Sequence, residues 1–296
     1  RDTDRIYLEP FTLKETEEFL DRRQICLTRK DIAECYMIMG GIPYYLDKIE
    51  KGMSFSQNID NIFFKKRARL WDEFTHLYAS LFDNPEPHLK IVKALNTKRS
   101  GLTRAEISEA TKIPPNGNLT RVLKELEDSG FVLSYRDWTK TKKGNIYRLS
   151  DFYTIFYLDF VHENYGDDEN FWTNRIDSSM HRAWTGFAFE LLCMNHIPQI
   201  KAALGISGVA TRQFSWRGED ESGKRSQIDL LIDRRDGVID LCEVKFASGL
   251  YAITKGYESE LVGKIEVFRN ATKTNKSIHL VMVTTFGLSA NSHTSL

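Results

Sequence analysis

Two acidic side chains and a lysine are set into otherwise apolar, β-branched sequence. Asp229 lies in Gln227-Ile228-Asp229-Leu230-Leu231-Ile232-Asp233, and Glu243 and Lys245 lie in Val238-Ile239-Asp240-Leu241-Cys242-Glu243-Val244-Lys245-Phe246. Charges in such a setting are costly unless they are paired or bound to a metal. Two carboxylates brought together repel each other unless a cation sits between them, and hard oxygen donors of this kind suit Mg²⁺ or Mn²⁺. A lysine beside them can orient or polarise an attacking water, so the chemistry suggested is metal-assisted hydrolysis.

The elements that must position these groups follow from hydrophobic period. The two apolar runs are separated by Arg234-Arg235-Asp236-Gly237, whose Asp-Gly is a turn signal, so they read as antiparallel strands packed into a core. Side chains alternate along a strand, which puts Glu243 and Lys245 on one face with Ile239 and Leu241. A loop of Arg235, Asp236 and Gly237 sets Arg234 against Val238 and Asp229 against Glu243, bringing both carboxylates and the ammonium to one face. Upstream, Trp184, Phe187, Ala188, Leu191 and Leu192 have helical spacing over 179–197, with Glu190 at the edge of their stripe. A strand is expected over 208–217, a helix over 254–272 and a strand over 278–285.

This pattern, D-x13-E-x-K preceded by a helix glutamate in the order α-β-β-β-α-β, resembles the PD-(D/E)XK nuclease superfamily, although the signature proline is missing. The resemblance implies that Asp229 and Glu243 hold Mg²⁺ or Mn²⁺ with the Val244 carbonyl as a further ligand. It also implies that Lys245 positions water and that Glu190 acts through a metal-bound water or a second metal. Gln227, on the same strand face as Asp229, extends the site toward substrate, and Lys255 and Lys264 are weaker candidates for phosphate contact. The alternative is a structural cluster in which Asp229 and Glu243 pair with Lys245 or Arg225 and no metal is bound.

The first third reads as a short strand from Arg5, then a helix capped by Thr12 with Glu15 completing a capping box, then a helix over 30–39 stopped by Gly40-Gly41-Ile42-Pro43. Arg5-x-x-Leu8-x-Pro10-Phe11-Thr12 and Gly40-Gly41-Ile42-Pro43-x-Tyr45-Leu46 resemble the helical lid that follows the nucleotide-binding core in AAA+-type ATPases of the archaeal ATPase family. No G-x-x-x-x-G-K-(S/T) loop occurs, so ATP binding is expected only of a P-loop domain absent from this chain. The chain opens at Arg1 without an initiator methionine, in what reads as the tail of another element, and function that begins upstream is expected.

From Asn84 to Ser150 there are 13 basic and 7 acidic residues, although Lys plus Arg and Asp plus Glu balance at 41 each over the 296 residues. Leu89, Ile91, Val92 and Leu95 form a helix stripe, Thr103 caps a second helix, and a third is expected over 118–129. Alternating segments over 131–136 and 145–149 then make a strand pair, and the whole reads as a winged helix-turn-helix. Such a module offers Asn116, Asn118, Thr120, Arg121 and Lys124 to a DNA groove and Lys140, Lys142 and Lys143 to phosphate. Glu125, Glu127 and Asp128 on the same helix favour a protein-contact or spacer role instead. The aromatics of 152–160 read as a packing helix.

The expected architecture is therefore α/β and multidomain: a helical ATPase lid over 1–83, a winged helix-turn-helix over 84–150, a connecting helix and linker over 151–168, and an αβββαβ restriction-endonuclease-like domain with a mixed sheet over 169–296. The expected partners are nucleic acid, most naturally DNA, and the upstream ATPase core, and a homo-oligomer is compatible with the sequence. No apolar run approaches the ~18 residues of a membrane span. The four cysteines form no C-x-x-C pair and suggest a reduced, cytoplasmic protein. A catalytically inactive DNA- or protein-binding arm of the ATPase is the competing function.

Overall fold

The computed structural model describes residues 8–136, 138, 145–164 and 166–294. The chain is mixed α/β, with helices dominating its first two thirds and a mixed sheet in the last. Helices α1 (Leu13–Arg22), α2 (Arg29–Met39), α3 (Pro43–Leu46), α4 (Phe55–Ile59, continued as a π turn by Asp60–Phe64) and α5 (Glu73–Leu81) form the first part. Thr12 and Glu15 cap α1 reciprocally: Glu15 N donates to Thr12 Oγ1 at 3.3 Å and Thr12 N to Glu15 Oε2 at 2.8 Å. The strand expected from Arg5 is not found: residues 8–12 have no regular structure, and 5–7 lie outside the described residues.

Two sequence strings thirty residues apart meet here. Phe11 N donates to Gly41 O at 2.9 Å, and Gly41, at φ +69°, comes so close that a Cβ would collide with the Phe11 carbonyl oxygen and the Tyr36 ring. Gly40 at φ +66° ends α2 in the left-handed conformation, and Pro43 then opens α3, so the double glycine turns the chain and lets the Pro10-Phe11-Thr12 segment lie against it.

Next come α6 (Glu86–Asn96), β1 (Leu102–Thr103), α7 (Arg104–Thr111), α8 (Gly117–Asp128), β2 (Val132–Arg136) and β3 (Asn145–Leu149), with the strands in the order β1-β3-β2, all antiparallel. Leu119, Val122, Leu123 and Leu126 bury one face of α8. Then α9 (Phe152–Phe156, continued as a π turn by Tyr157–Val161) and α10 (His162–Asn164) follow. Phe156 meets Phe63, Trp172 and Trp184 edge to face at 5.1, 5.0 and 5.6 Å, which makes the aromatic segment a packing element. The polar connection over 164–177 is not free: Asp60 accepts Trp172 N at 2.7 Å and Thr173 N at 3.2 Å.

The last part runs α11 (Ser179–Asn195), α12 (Ile197–Ala203), β4 (Thr211–Glu219), β5 (Arg225–Arg234), β6 (Val238–Lys245), α13 (Lys255–Thr272), β7 (Ser277–Thr284), with sheet order β4-β5-β6-β7. Only β6 and β7 are parallel, since the α13 crossover between them allows it. The strand expected over 208–217 begins three residues later. One sheet face packs Leu231, Ile239 and Leu241 against Val267 and Phe268 of α13; the other packs Leu230, Ile232 and Cys242 against Ile197 of α12 and Met194 of α11. Cys35, Cys193 and Cys242 are buried, Cys26 is exposed, and all four are free thiols.

Candidate carboxylate site

The β5–β6 hairpin fixes the register of the site. Leu230 pairs with Cys242, Leu231 with Leu241 and Asp233 with Ile239, the register the turn chemistry predicts, and the pairing ends one step short of Asp229 and Glu243. Gly237 supplies the left-handed residue of the turn at φ +87°. On its other edge β5 carries a bulge: Phe214 pairs with Leu231 but Trp216 with Ile228, so Asp229 and Leu230 share a single position of β4. A bulge of this kind re-aims the side chains at it. Asp229 accordingly borders two clefts, one toward α11 with Glu190 and one toward α13 with Lys264.

Glu190 arrives from α11, whose start is set by Ser178 accepting His181 N at 3.1 Å. The amino-terminal helices hold this helix at both ends. Glu34 of α2 faces His181 at 3.5 Å, and at the other end the His196 ring accepts Leu13 N on Nε2 at 3.0 Å while Nδ1 faces Leu192 O at 2.9 Å. Those two bonds select the neutral tautomer with the proton on Nδ1, and burial pushes the His196 pKa down.

Burial first, and then the neighbouring Asp229 carboxylate, push Glu190 up to about 7; Glu243 adds to the rise, and Arg148 and Lys245 oppose it. Among the described residues no hydrogen bond reaches the Glu190 carboxyl. Asp229 accepts one from Gln227 Nε2 at 2.6 Å, and Gln227 in turn accepts from Arg217 Nε at 3.0 Å. These two carboxylates therefore lack a hydrogen-bonded cation.

Glu243 is different. It is 6% exposed and fully engaged: Oε1 accepts from Tyr257 Oη at 2.6 Å and lies 2.9 Å from Lys245 Nζ, and Oε2 lies 2.9 Å from Lys264 Nζ. Burial works to raise its pKa, but the tyrosine and the two lysines together outweigh it and hold the carboxyl below its ordinary value. Tyr257 and Lys264 are seven residues apart on α13, two turns along one face, and the Thr254 cap on Tyr257 N at 3.3 Å sets where that face begins. Among the described residues no three His, Cys, Asp or Glu side chains converge closely enough to hold a metal as they stand. Val244 is half-buried beside Val283 of β7.

The proposed groove residues lie on α8. Asn116, Asn118, Thr120, Arg121 and Lys124 are all exposed, opposite the buried leucine face. Arg121 is tied to Glu125 at 2.6 Å and Glu125 to the buried His88 at 2.9 Å, so Glu125, which would repel phosphate, is turned inward and matched. Lys140, Lys142 and Lys143 lie outside the described residues.

Three residues near the site have no sequence signal pointing to it. Arg148 of β3, only 6% exposed, reaches the cleft that holds Glu190 and Asp229. Its guanidinium carbon lies 5.0 Å from the Phe187 ring centre, and Arg99 lies 4.1 Å from the same ring. Tyr257 was likewise unmarked; the i, i+7 spacing of Tyr257 and Lys264 could have suggested a shared target.

No family model matches the chain. Over 194 residues it is 25% identical to an uncharacterized protein of Methanocaldococcus jannaschii, covering 64% of this chain and 42% of that protein. Among solved structures, a Walker-type ATPase of Pyrococcus abyssi is similar at 16% identity and a TM-score of 0.34, over 50% of this chain and 42% of that one. The chain thus spans less than half the length of either.

Proposed function

We propose that this chain is the carboxy-terminal arm of an ATPase and that its last part is a Mg²⁺- or Mn²⁺-dependent phosphodiesterase acting on nucleic acid. The observation that carries the nuclease reading is the gathering of Glu190, Asp229, Glu243 and Lys245 from one helix and two strands into a single electrostatic neighbourhood. The ATPase relation rests on the Pro10-Phe11-Thr12 and Gly40-Gly41-Ile42-Pro43 strings, which interlock through the Phe11–Gly41 hydrogen bond.

The donor set fits a hard divalent cation at Asp229 and Glu190, two carboxylates with no hydrogen-bonded cation among the described residues, one of which is raised to about 7 by burial first and then by the other's charge. Glu243 can join them only by exchanging its lysines. Bound there, a divalent ion supplies Lewis acidity and lowers the pKa of a coordinated water. Lys245, 33% exposed at its side chain, is then placed to donate to a water or a non-bridging phosphate oxygen. Glu190, raised to about 7 without the ion, would give up its proton on coordinating it, so occupancy of the site is expected to rise with pH through neutrality. In the same reading, β1–β3 with α6–α8 form a winged helix, and the exposed side of α8 meets duplex DNA.

The Glu243–Tyr257–Lys245–Lys264 cluster favours a second reading, in which the fold is an inactive scaffold. Buried pairs of this kind are sufficient structural roles in themselves. Plasmid nicking decides between them. Cleavage that requires Mn²⁺ and disappears in Glu243→Ala and Lys245→Ala supports the nuclease. A folded chain that takes up no Mn²⁺ by calorimetry and leaves DNA and RNA intact supports the scaffold.

A further inference from the structure

The cleft of about 560 Å³ that contains Glu190 and Asp229 has its opposite wall built by the middle of the chain, through Lys98, Arg99 and Arg148. Its cations differ in how they are matched. Lys98 pairs with Glu106 at 2.8 Å and Arg99 with Asp159 at 2.6 Å, whereas Arg217 meets, among the described residues, only the Gln227 amide oxygen. Arg148 is the anomaly. It is buried, its Nη1 reaches only the Met194 sulfur at 3.4 Å, its Nε has no partner, and among the described residues no carboxylate is hydrogen-bonded to it. A buried guanidinium left unmatched is costly, and its planar fork of donors is shaped for a carboxylate or phosphate. Glu190 and Asp229 face it across the cleft near enough to interact electrostatically, but neither satisfies its donors.

We propose that this cleft binds a single-stranded nucleic-acid segment, and that Arg148 is the positioning residue that holds a backbone phosphate against the carboxylates. The proposal rests on the carboxylate site being the place of hydrolysis. The cleft has the size of a site for one small molecule, which suits one or two nucleotides of an unpaired strand. Tyr135 on its wall offers ring surface to a base, the Phe187 ring being covered already by Arg99 and Arg148, and Arg217 offers a second cation. Glu190 and Asp229 repel a bare phosphate, so a divalent ion is expected to strengthen binding as well as to enable cleavage. Duplex DNA, by contrast, is left to the exposed face of α8, and strand and duplex affinities separate the two surfaces.

The test uses the full chain and fluorescein-labelled oligo(dT), single-stranded or annealed, with Ca²⁺ and with EDTA, read by anisotropy. Arg148→Lys is expected to weaken single-strand binding by roughly 10- to 100-fold while leaving duplex binding unchanged. Equal affinity for the single strand, or an equal loss for both forms, overturns the proposal. Because a buried arginine can be needed for folding, a second measurement uses the unaltered protein: oligo(dT) carrying iododeoxyuridine is photo-crosslinked and the adducts mapped. Adducts on Tyr135 support the cleft, and adducts confined to other surfaces overturn it. Failure of the nuclease reading is distinguishable, since it is seen as absent cleavage by the wild-type chain under any divalent ion, whatever Arg148→Lys does to binding.

Discussion

Replacing Glu190 by glutamine should stabilise the protein at alkaline pH and do little in acid. The folded chain lifts this carboxyl from its ordinary 4.5 to about 7, mainly by burial and by the Asp229 charge, which corresponds to roughly 3 kcal/mol between the two protonation states. A raised carboxyl means that the native state binds more protons than the unfolded one between those two values. Stability therefore falls as pH rises from about 4.5 to about 7, and the full loss is present above 7. Glutamine cannot ionise, so the variant escapes that loss. Its advantage should be near zero at pH 4.5 and approach ~3 kcal/mol at pH 8, or a rise of several degrees in Tm. Urea and thermal unfolding, followed by far-ultraviolet circular dichroism, read the difference directly. Mn²⁺ should narrow the gap at pH 8 by stabilising only the wild type. A stability difference independent of pH, or a glutamine variant less stable at pH 8, would refute the reasoning.

Lys264→Met removes one of the two cations on Glu243; stability should fall by ~1–3 kcal/mol in urea melts, while Mn²⁺ affinity by calorimetry should rise because the carboxylate is freed. If the variant binds Mn²⁺ no better than wild type, the competition between lysine and metal is wrong. His196 should titrate below its ordinary 6.5 in an NMR pH series, so the contribution of its contact with α1 is retained above 6.5 and lost as pH falls below it; a midpoint above 6.5 counts against the neutral tautomer. Gly41→Ala should cost more than ~2 kcal/mol, combining left-handed strain with collision against the Phe11 carbonyl, whereas Gly52→Ala, at φ +84° in open space, should cost only ~1 kcal/mol. Equal costs at the two glycines would show that the Phe11 contact is not tight.

What could be read from sequence was whatever local physics decides. The Asp236-Gly237 turn and the period-two pattern are sufficient to set Leu230 against Cys242 and Asp233 against Ile239, because a hairpin fixes its own register. The caps at Thr12 and Thr103 are likewise short-range hydrogen bonds, each spanning three residues, and helix starts followed from them. The Arg234–Val238 register was legible, but not the bulge on the far edge of β5, since that depends on how β4 pairs and no turn residue announces it. The same distinction explains the chemistry. Glu243 lies on the predicted face, but what neutralises it comes from Tyr257 and Lys264 across a crossover, and helical periodicity gives a face without saying what it will meet.

Arg148 is the extreme case. In sequence it is one polar position in a short alternating strand of a basic segment, indistinguishable from the solvent-facing side of a wing. Its burial is created only when the strand docks on α11, where Phe187 takes the guanidinium on its face and Met194 receives one of its N–H groups. Neither contact discharges an arginine, and among the described residues neither acid across the cleft is hydrogen-bonded to it, one of them being only partly ionised near pH 7. Burying a charge without matching it is stable only when the cost is offset elsewhere, and cores rarely retain such a group without use. The mismatch therefore points to a ligand that brings negative charge into the cleft, which is the property a phosphodiester backbone would supply.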